Sequence, residues 1–136
     1  MSSNNLKELQ LELKKFAEER DWDQFHSVKN LLLALVGEVG ELTEIFQWLE
    51  PSSIENLDLE TKIRAEEEVA DVLLYLIRIA DKLDIDLNMA ARRKLALNAE
   101  KYPVIQSKGN AIKYNQREKW ASYFNQLAIK MVGYIT

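Results

Sequence analysis

Two short segments of the sequence are apolar or aromatic at every position, and both lie inside longer stretches with helical periodicity. They read LLLALV at Leu31–Val36 and VLLYLI at Val72–Ile77. A helix with one face in water carries polar residues on that face, so both segments are expected to be covered on all sides. Either both helices are central in a bundle, or a second copy of the chain covers their outer faces. Because a chain of 136 residues forms one small domain, the second interpretation is favoured.

The rest of the sequence also favours helices. Four glycines and two prolines are few for this length, whereas an all-β fold needs many turns. Apolar residues that recur every three or four positions predict helices over residues 5–20, 27–49, 58–83, 87–101 and 116–132. We therefore expect an all-α helical bundle of four to five helices. Residues 1–114 would form the domain with its C-terminal arm, and residues 115–136 an additional helix of the same domain.

Several residues mark where these helices begin and end. Asp58 is the expected N-cap of the third helix. Pro51 is expected to end the second helix, because proline disfavours helix at the residue before it. Asn115 and Glu118 have the spacing of a capping box for the last helix. That helix is expected to bury Trp120, Tyr123, Phe124, Leu127 and Met131.

The composition excludes several kinds of site. The chain has no cysteine, which excludes disulfides, thiolate nucleophiles and zinc fingers. His26 is its one histidine, which excludes a site built from several imidazoles. The N-terminal sequence has no apolar core of signal-peptide length, and no apolar run approaches about 18 residues. We therefore expect a cytoplasmic protein with no membrane partner.

Charge is distributed unevenly along the chain. The net charge is −4, yet residues 101–136 carry six basic residues and one acidic residue. An acidic body with a basic tail suits a metal site beside a polyanionic ligand, although both features also occur as ordinary solvated surface. The acidic body argues against nucleic acid as a partner.

Acidic residues interrupt the two apolar helices in pairs. Glu38 and Glu41 are three residues apart and follow LLLALV, and Glu68 and Asp71 repeat that spacing on the third helix. Residues three apart share a helix face, so antiparallel packing would bring four carboxylates together. The alternative is that these acids are exposed and solvated, as the run of three glutamates ending at Glu68 would also allow.

Four carboxylates in one cavity need protons or cations to offset their repulsion. Clustered oxygen ligands suit Mg²⁺ or Mn²⁺, and magnesium held by carboxylates keeps positions open for substrate phosphates. The residues therefore predict a magnesium site for a phosphorylated ligand. Gly37 and Gly40 lie beside these acids inside a helix, which indicates either close helix packing or a ligand against the backbone.

Three stretches of the chain resemble a known family. They are ERDWDQFHSVKNLLLALVGEVGELTEIFQW (Glu19–Trp48), EEEVADVLLYL (Glu66–Leu76) and KYP (Lys101–Pro103). Together they resemble the all-α nucleotide pyrophosphohydrolases of the MazG-like superfamily, and more closely its dCTP pyrophosphatase branch. The resemblance covers about residues 5–115.

The resemblance implies a Mg²⁺-dependent enzyme that cleaves a deoxynucleoside triphosphate between the α- and β-phosphates. The products would be the monophosphate and pyrophosphate, in a nucleotide-pool house-cleaning role. dCTP or a modified dCTP is the favoured substrate, with dATP as an alternative. The family fold implies a helical bundle whose active site is completed by dimerisation, in a homodimer or homotetramer.

The resemblance also implies roles for individual residues. The catalytic and metal-binding residues would be Glu38, Glu41, Glu68 and Asp71. The nucleobase pocket would be shaped by Trp22 and Trp48, with His26 nearby. Sugar or phosphate contacts would come from Tyr75, Lys94 and Asn98. Basic and aromatic residues that close over the phosphates would be Lys101, Tyr102, Lys113 and Tyr114.

One alternative from a different class of function stays open. The all-round apolar segments and the basic tail would also suit a non-catalytic helical dimerisation or nucleotide-binding regulatory module. If the chain is an enzyme, the sequence favours direct attack by water, because it has no Ser/His/Asp or Cys/His arrangement for covalent catalysis. Phosphates would be held by metal and basic side chains, since there is no P-loop.

Overall fold

A computed structural model describes residues 6–133, without the side chains of residues 118, 120, 121, 124 and 131–133. Over that range the chain forms helices and no strand, which confirms the all-α class. In chain order the elements are α1 (Leu6–Glu19), the 3₁₀ turn Asp23–Phe25, α2 (Val28–Phe46), α3 (Pro51–Ile54), α4 (Leu59–Lys82), α5 (Leu87–Lys101), α6 (Val104–Ser107) and α7 (Tyr114–Gly133).

Caps explain where the two long helices of the bundle begin. The Ser27 hydroxyl accepts a hydrogen bond from the Asn30 N–H at 3.1 Å and starts α2. The Asp58 carboxylate accepts from the Thr61 N–H at 2.8 Å and starts α4, as the sequence predicts. α2 ends at Phe46, so the prediction that Pro51 ends this helix is wrong. Pro51 instead begins the short helix α3, where its missing N–H would have had no partner within the helix.

The end of the chain differs from the sequence-based expectation. Because α7 begins at Tyr114, Asn115 lies inside the helix and the predicted capping box is wrong. The predicted C-terminal arm contains the short helix α6. Tyr123 and Leu127 are exposed, so their predicted burial is wrong for the single chain. The side chains of Trp120, Phe124 and Met131 lie outside the described residues.

The chain divides into two compact units, the first ending at Ala90 and the second beginning at Ala91. In the first unit, α2 packs along α4 and α1 packs against α4. α2 and α4 are antiparallel, because the residue pair Asp23 and Arg78 is in contact at one end and Glu41 lies near Glu68 further along. The core between them includes Leu31 and Ile77, whose burial stabilises the fold by roughly 1.5–3 kcal/mol each.

The outer face of α2 stays open to solvent in the single chain. Leu33 is 64% exposed and Val36 70% exposed. A Cβ added at Gly37 or Gly40 would meet no described atom within 4 Å, so no other helix of the first unit packs closely there. The bundle of the first unit therefore does not bury this face of LLLALV.

In the second unit, the guanidinium of Arg117 ties the segment before α7 to that helix. It donates to the Ser107 hydroxyl at 2.7 Å and to the Asn110 side-chain oxygen at 2.9 Å. It also lies over the Tyr102 ring, 5.4 Å from the ring centroid. These contacts order the segment that carries the predicted basic and aromatic residues.

Within residues 6–133, no helix combines the length and the hydropathy that crossing a bilayer requires.

Candidate active site

Three glutamates from α2 and α4 come together where these helices pack. Glu38, Glu41 and Glu68 each offer a carboxylate oxygen, and these oxygens lie within 4.8 Å of one another. The first two lie one turn apart on α2, and the third comes from α4, which runs antiparallel beside it. We call these residues the glutamate triad. Oxygens that bind one Mg²⁺ are about 3 to 4 Å apart, so small side-chain shifts would bring the triad onto one ion.

A bound cation would stabilise the glutamate triad, because two of its residues are partly buried and its carboxylates repel one another. Burial raises the pKa of Glu38, and the neighbouring charges of Asp71 and Glu41 raise it further. Burial likewise raises the pKa of Glu68, with the charges of Glu41 and Glu38 adding to it. Among the described residues, Glu68 Oε2 is buried and accepts no hydrogen bond. A divalent cation would offset the repulsion and satisfy this oxygen.

Asp71 lies near the glutamate triad but is not one of the three residues whose oxygens lie within 4.8 Å of one another. Its charge raises the pKa of Glu38, of Glu68 and of the Tyr75 hydroxyl, so it is close to all three. It also lines a cavity of about 140 Å³. Asp71 therefore lies between the glutamate triad and this cavity.

The cavity next to the glutamate triad is mostly apolar and carries a few polar groups. Its walls come from α1, the loop after it, α2 and α4, and consist of Leu13, Phe16, Ala17, Trp22, His26, Leu31, Asp71, Leu74, Tyr75 and Arg78. A cavity of about 150 Å³ holds one benzene molecule. The cavity thus has room for a single six-membered ring between aromatic and polar side chains.

Aromatic residues form one wall of the cavity. The Trp22 ring meets the Phe16 ring edge-on at 5.8 Å between centroids and the His26 ring at 6.4 Å. The loop that carries Trp22 and His26 is held by backbone bonds, among them Trp22 N–H to the Ala17 carbonyl at 3.0 Å. The short loop after α1 thus places Trp22 and His26, two of the residues predicted to bind the nucleobase, in the cavity wall.

Trp48, the third predicted nucleobase residue, is not brought to this cavity. It follows α2 in the turn before α3 and is 86% exposed. A role for Trp48 in base binding therefore needs something outside the first unit to cover it.

The remaining predicted residues belong to the second unit. There, Lys94 and Asn98 lie four residues apart on α5, and the Asn98 carbonyl accepts from the Tyr102 N–H at 2.8 Å. The Tyr102 hydroxyl lies 3.5 Å from the Tyr114 N–H, which donates to it. Lys101 and Lys113 are exposed at the two ends of the same segment. All of these contacts lie within the second unit.

Sequence reasoning missed Arg78, a buried cation that lines the cavity. Arg78 is 3% exposed. It donates to Asp81 Oδ2 at 2.6 Å and to an Asp23 oxygen. Lys82 donates to the same Asp23 oxygen at 2.6 Å, and that bond and the two cations lower the pKa of Asp23. The available signal was an arginine among apolar residues of α4, three before an aspartate.

Comparisons with known proteins find sequence similarity over much of the chain. The model of the MazG-like family matches residues 33–116, which include the whole glutamate triad. The chain is 50% identical over 101 residues to dCTP pyrophosphatase 1 of Rattus norvegicus, covering 73% of this chain and 59% of that protein. It is 44% identical over 113 residues to dCTP pyrophosphatase 1 of Bos taurus, covering 82% and 67%.

A solved structure is also similar. The crystal structure of a pyrophosphatase from Archaeoglobus fulgidus DSM 4304 has 38% sequence identity and a TM-score of 0.65. The match covers 76% of this chain and 96% of that one. The curated relatives are longer, since the chain spans about 59% of the length of the rat protein.

Proposed function

Because the chain belongs to the MazG-like family, we propose that it is a metal-dependent nucleoside triphosphate pyrophosphohydrolase. It would convert dCTP or a modified dCTP into the monophosphate and pyrophosphate, as a house-cleaning enzyme of the cytoplasm. The observation that carries this proposal is the glutamate triad beside a cavity with room for one ring. The similarity to proteins named dCTP pyrophosphatase 1 supports the choice of base.

The metal we propose is Mg²⁺, with Mn²⁺ as a substitute. The donor set consists of carboxylate oxygens alone, which suits hard cations that prefer oxygen ligands. Glu38, Glu41 and Glu68 would hold the ion, and Asp71 would complete the set from the cavity side. When bound, the cation supplies charge neutralisation and Lewis acidity for the triphosphate.

The chain's own residues would do the rest of the chemistry. A carboxylate of the acidic cluster orients the attacking water and accepts its proton. The water oxygen then bonds to the α-phosphorus while the bond from that phosphorus to the bridging oxygen breaks, and pyrophosphate leaves.

The cavity would hold the base. A volume of about 140 Å³ favours a single-ring pyrimidine over a two-ring purine. Trp22 would offer the ring an aromatic surface, and Tyr75 would lie between the base and the acidic cluster. We keep dATP as the weaker alternative substrate, since the cavity is open on one side.

A second copy of the chain would complete the site. Leu33, Val36 and Val69 expose apolar surface that a homodimer would bury, and a homotetramer would repeat the same contact. Trp48 would then be covered and available to the base. Lys94 and Asn98 would contact the sugar or phosphates. The basic and aromatic residues that would close over the phosphates are Lys101, Tyr102, Lys113 and Tyr114.

The test is a panel of nucleotides with product identification. dCTP, 5-methyl-dCTP, dTTP and dATP are each incubated with the protein and Mg²⁺, and pyrophosphate and orthophosphate are measured separately. We expect pyrophosphate and monophosphate, fastest with the cytosine nucleotides. Orthophosphate as the only inorganic product, or no turnover with any nucleotide, would contradict the proposal. Binding of dCTP with no turnover would instead support a nucleotide-binding regulatory module.

A further inference from the structure

Arg78 makes one contact that its pairing with carboxylates does not explain. Its Nε–H donates to Nδ1 of His26 at 3.2 Å, across 52 residues of sequence. The two terminal nitrogens of the same guanidinium are already engaged by Asp81 and Asp23. The arginine is thus fixed on both sides, and its Nε–H has a defined direction.

This contact determines the state of the His26 ring. A guanidinium has only donors and keeps its charge in proteins. The nitrogen that faces it must therefore accept, so Nδ1 carries no proton. In a neutral imidazole the proton then lies on Nε2. A doubly protonated ring would direct an N–H at the cation, which is unfavourable.

The charged surroundings of His26 agree with a neutral ring. Burial lowers its pKa, and the positive charges of Arg78 and Lys82 on α4 lower it further. Asp23, from the loop that carries the histidine, acts in the opposite direction. Asp81 lies on the far side of the guanidinium and accepts from Gln10 of α1 at 3.1 Å.

The other edge of the ring is available to a ligand. His26 lines the cavity together with Trp22 and Tyr75. Among the described residues, the bond to Arg78 is the one hydrogen bond that the His26 side chain makes. An Nε2–H group in a small, mostly apolar cavity is a directional donor whose partner must come from outside the protein.

We propose that Arg78 is a positioning residue that holds His26 as a neutral Nε2–H donor, and that this donor recognises an acceptor on the ring of the bound base. Arg78 acts through His26 and does not itself touch the substrate. A pyrimidine offers such acceptors at its ring nitrogen or carbonyl oxygen. The inference rests on the proposed function for the identity of the ligand, and its first test does not depend on turnover.

The single histidine makes that test direct. Nitrogen-15 NMR of the uniformly labelled protein gives the His26 nitrogen shifts without assignment ambiguity. At pH about 7 we expect one neutral tautomer, with the proton on Nε2 and Nδ1 unprotonated. Adding dCMP should shift the Nε2 and Nε2–H resonances. A proton on Nδ1, a charged ring at this pH, or an Nε2 signal indifferent to saturating dCMP would overturn the inference.

Two variants separate positioning from simple structural support. Arg78→Lys keeps the positive charge for Asp23 and Asp81 but cannot present the same N–H to His26. We expect mixed tautomers and, because only the Nε2–H form donates to the base, a KM for dCTP raised about two- to threefold with kcat unchanged. Lys82→Met is the matched control, since Lys82 touches Asp23 but not the ring. It should leave the tautomer and KM unchanged.

The outcomes distinguish the two proposals. Absence of pyrophosphate release from the native protein contradicts the proposed function, while the NMR result with dCMP still decides the role of His26. A native tautomer retained in Arg78→Lys, or an equal rise of KM in Lys82→Met, overturns the positioning role of Arg78. Should Arg78→Lys fail to fold, the tautomer and dCMP response of the native protein remain decisive.

Discussion

Replacing Glu41 by glutamine removes one charge from the glutamate triad and leaves the shape of the side chain almost unchanged. In the absence of metal, the variant relieves repulsion among carboxylates whose oxygens lie within 4.8 Å of one another. Its melting temperature without metal should therefore equal or exceed that of the native chain. In the presence of Mg²⁺, the variant has lost one of the proposed ligands. Compared with the native chain, Glu41→Gln should therefore be equally or more stable without metal and less stable with Mg²⁺.

The size of the metal effect follows from linkage. A ligand at about 100 times its Kd stabilises the folded state by about 2.7 kcal/mol. For 136 residues, an unfolding entropy of about 2.1 cal/mol/K per residue gives about 0.29 kcal/mol/K. Mg²⁺ at that concentration should raise the native Tm by about 9 °C. If the variant binds about 100-fold more weakly, the same concentration stabilises it by about 0.4 kcal/mol, or between about 1 and 2 °C.

The assay is thermal unfolding followed by circular dichroism, with and without Mg²⁺, at one fixed protein concentration. Glu44→Gln is the matched control, because Glu44 is an exposed acid one turn further along α2 and lies outside the glutamate triad. The control should keep the full Mg²⁺-induced rise and full turnover, whereas Glu41→Gln should lose both. Equal rises in the native chain and Glu41→Gln would refute the ligand assignment. So would a large loss of stability in metal-free Glu41→Gln.

Three further predictions concern pH, assembly and the core. The raised pKa values of Glu38 and Glu68 mean that the contribution of these two groups to metal-free stability is fully present below pH about 4.5 and is lost as pH rises through the folded values. The Mg²⁺-induced rise in Tm should therefore grow with pH, and unfolding curves with and without Mg²⁺ check this, because the opposite contributions of Asp23 and Asp58 cancel in the difference. Val36→Asp should dissociate the proposed homo-oligomer and abolish turnover with helicity unchanged. Sedimentation and circular dichroism will measure this, and an unaltered sedimentation coefficient would contradict it. Leu31→Ala should lower the free energy of unfolding by about 2 to 5 kcal/mol, measured by urea denaturation, whereas a loss under about 1 kcal/mol would contradict the described core.

Much of the fold could be predicted from the sequence because it is set by local periodicity and caps. α5 has the bounds that the sequence predicts, and α4 begins directly after its expected cap, Asp58. The prediction was wrong at the start of α7, where Asn115 lies inside the helix. There the capping pattern competes with contacts that Arg117 makes to Ser107 and Asn110, which are not visible in a local sequence pattern.

The candidate site could be predicted in part. The spacing of Glu38, Glu41 and Glu68 indicates that each helix presents its acids on one face, and the structure brings these three together. Spacing alone does not say that Asp71 faces the cavity while remaining near them. It also does not say that Trp48 is exposed in the single chain, because exposure depends on which elements pack nearby.

By itself, the sequence determined the helices, the paired acids and the preference for oxygen-bound cations, since these depend on residue type and on separations of three or four positions. The tertiary structure alone decided that Arg78 is buried and directs its Nε–H at His26. The two residues are 52 positions apart, so their contact depends on the antiparallel packing of α2 along α4. The tertiary structure also decided that the outer face of α2 is open in the first unit, because a helix that is apolar all round is buried only where another surface covers it.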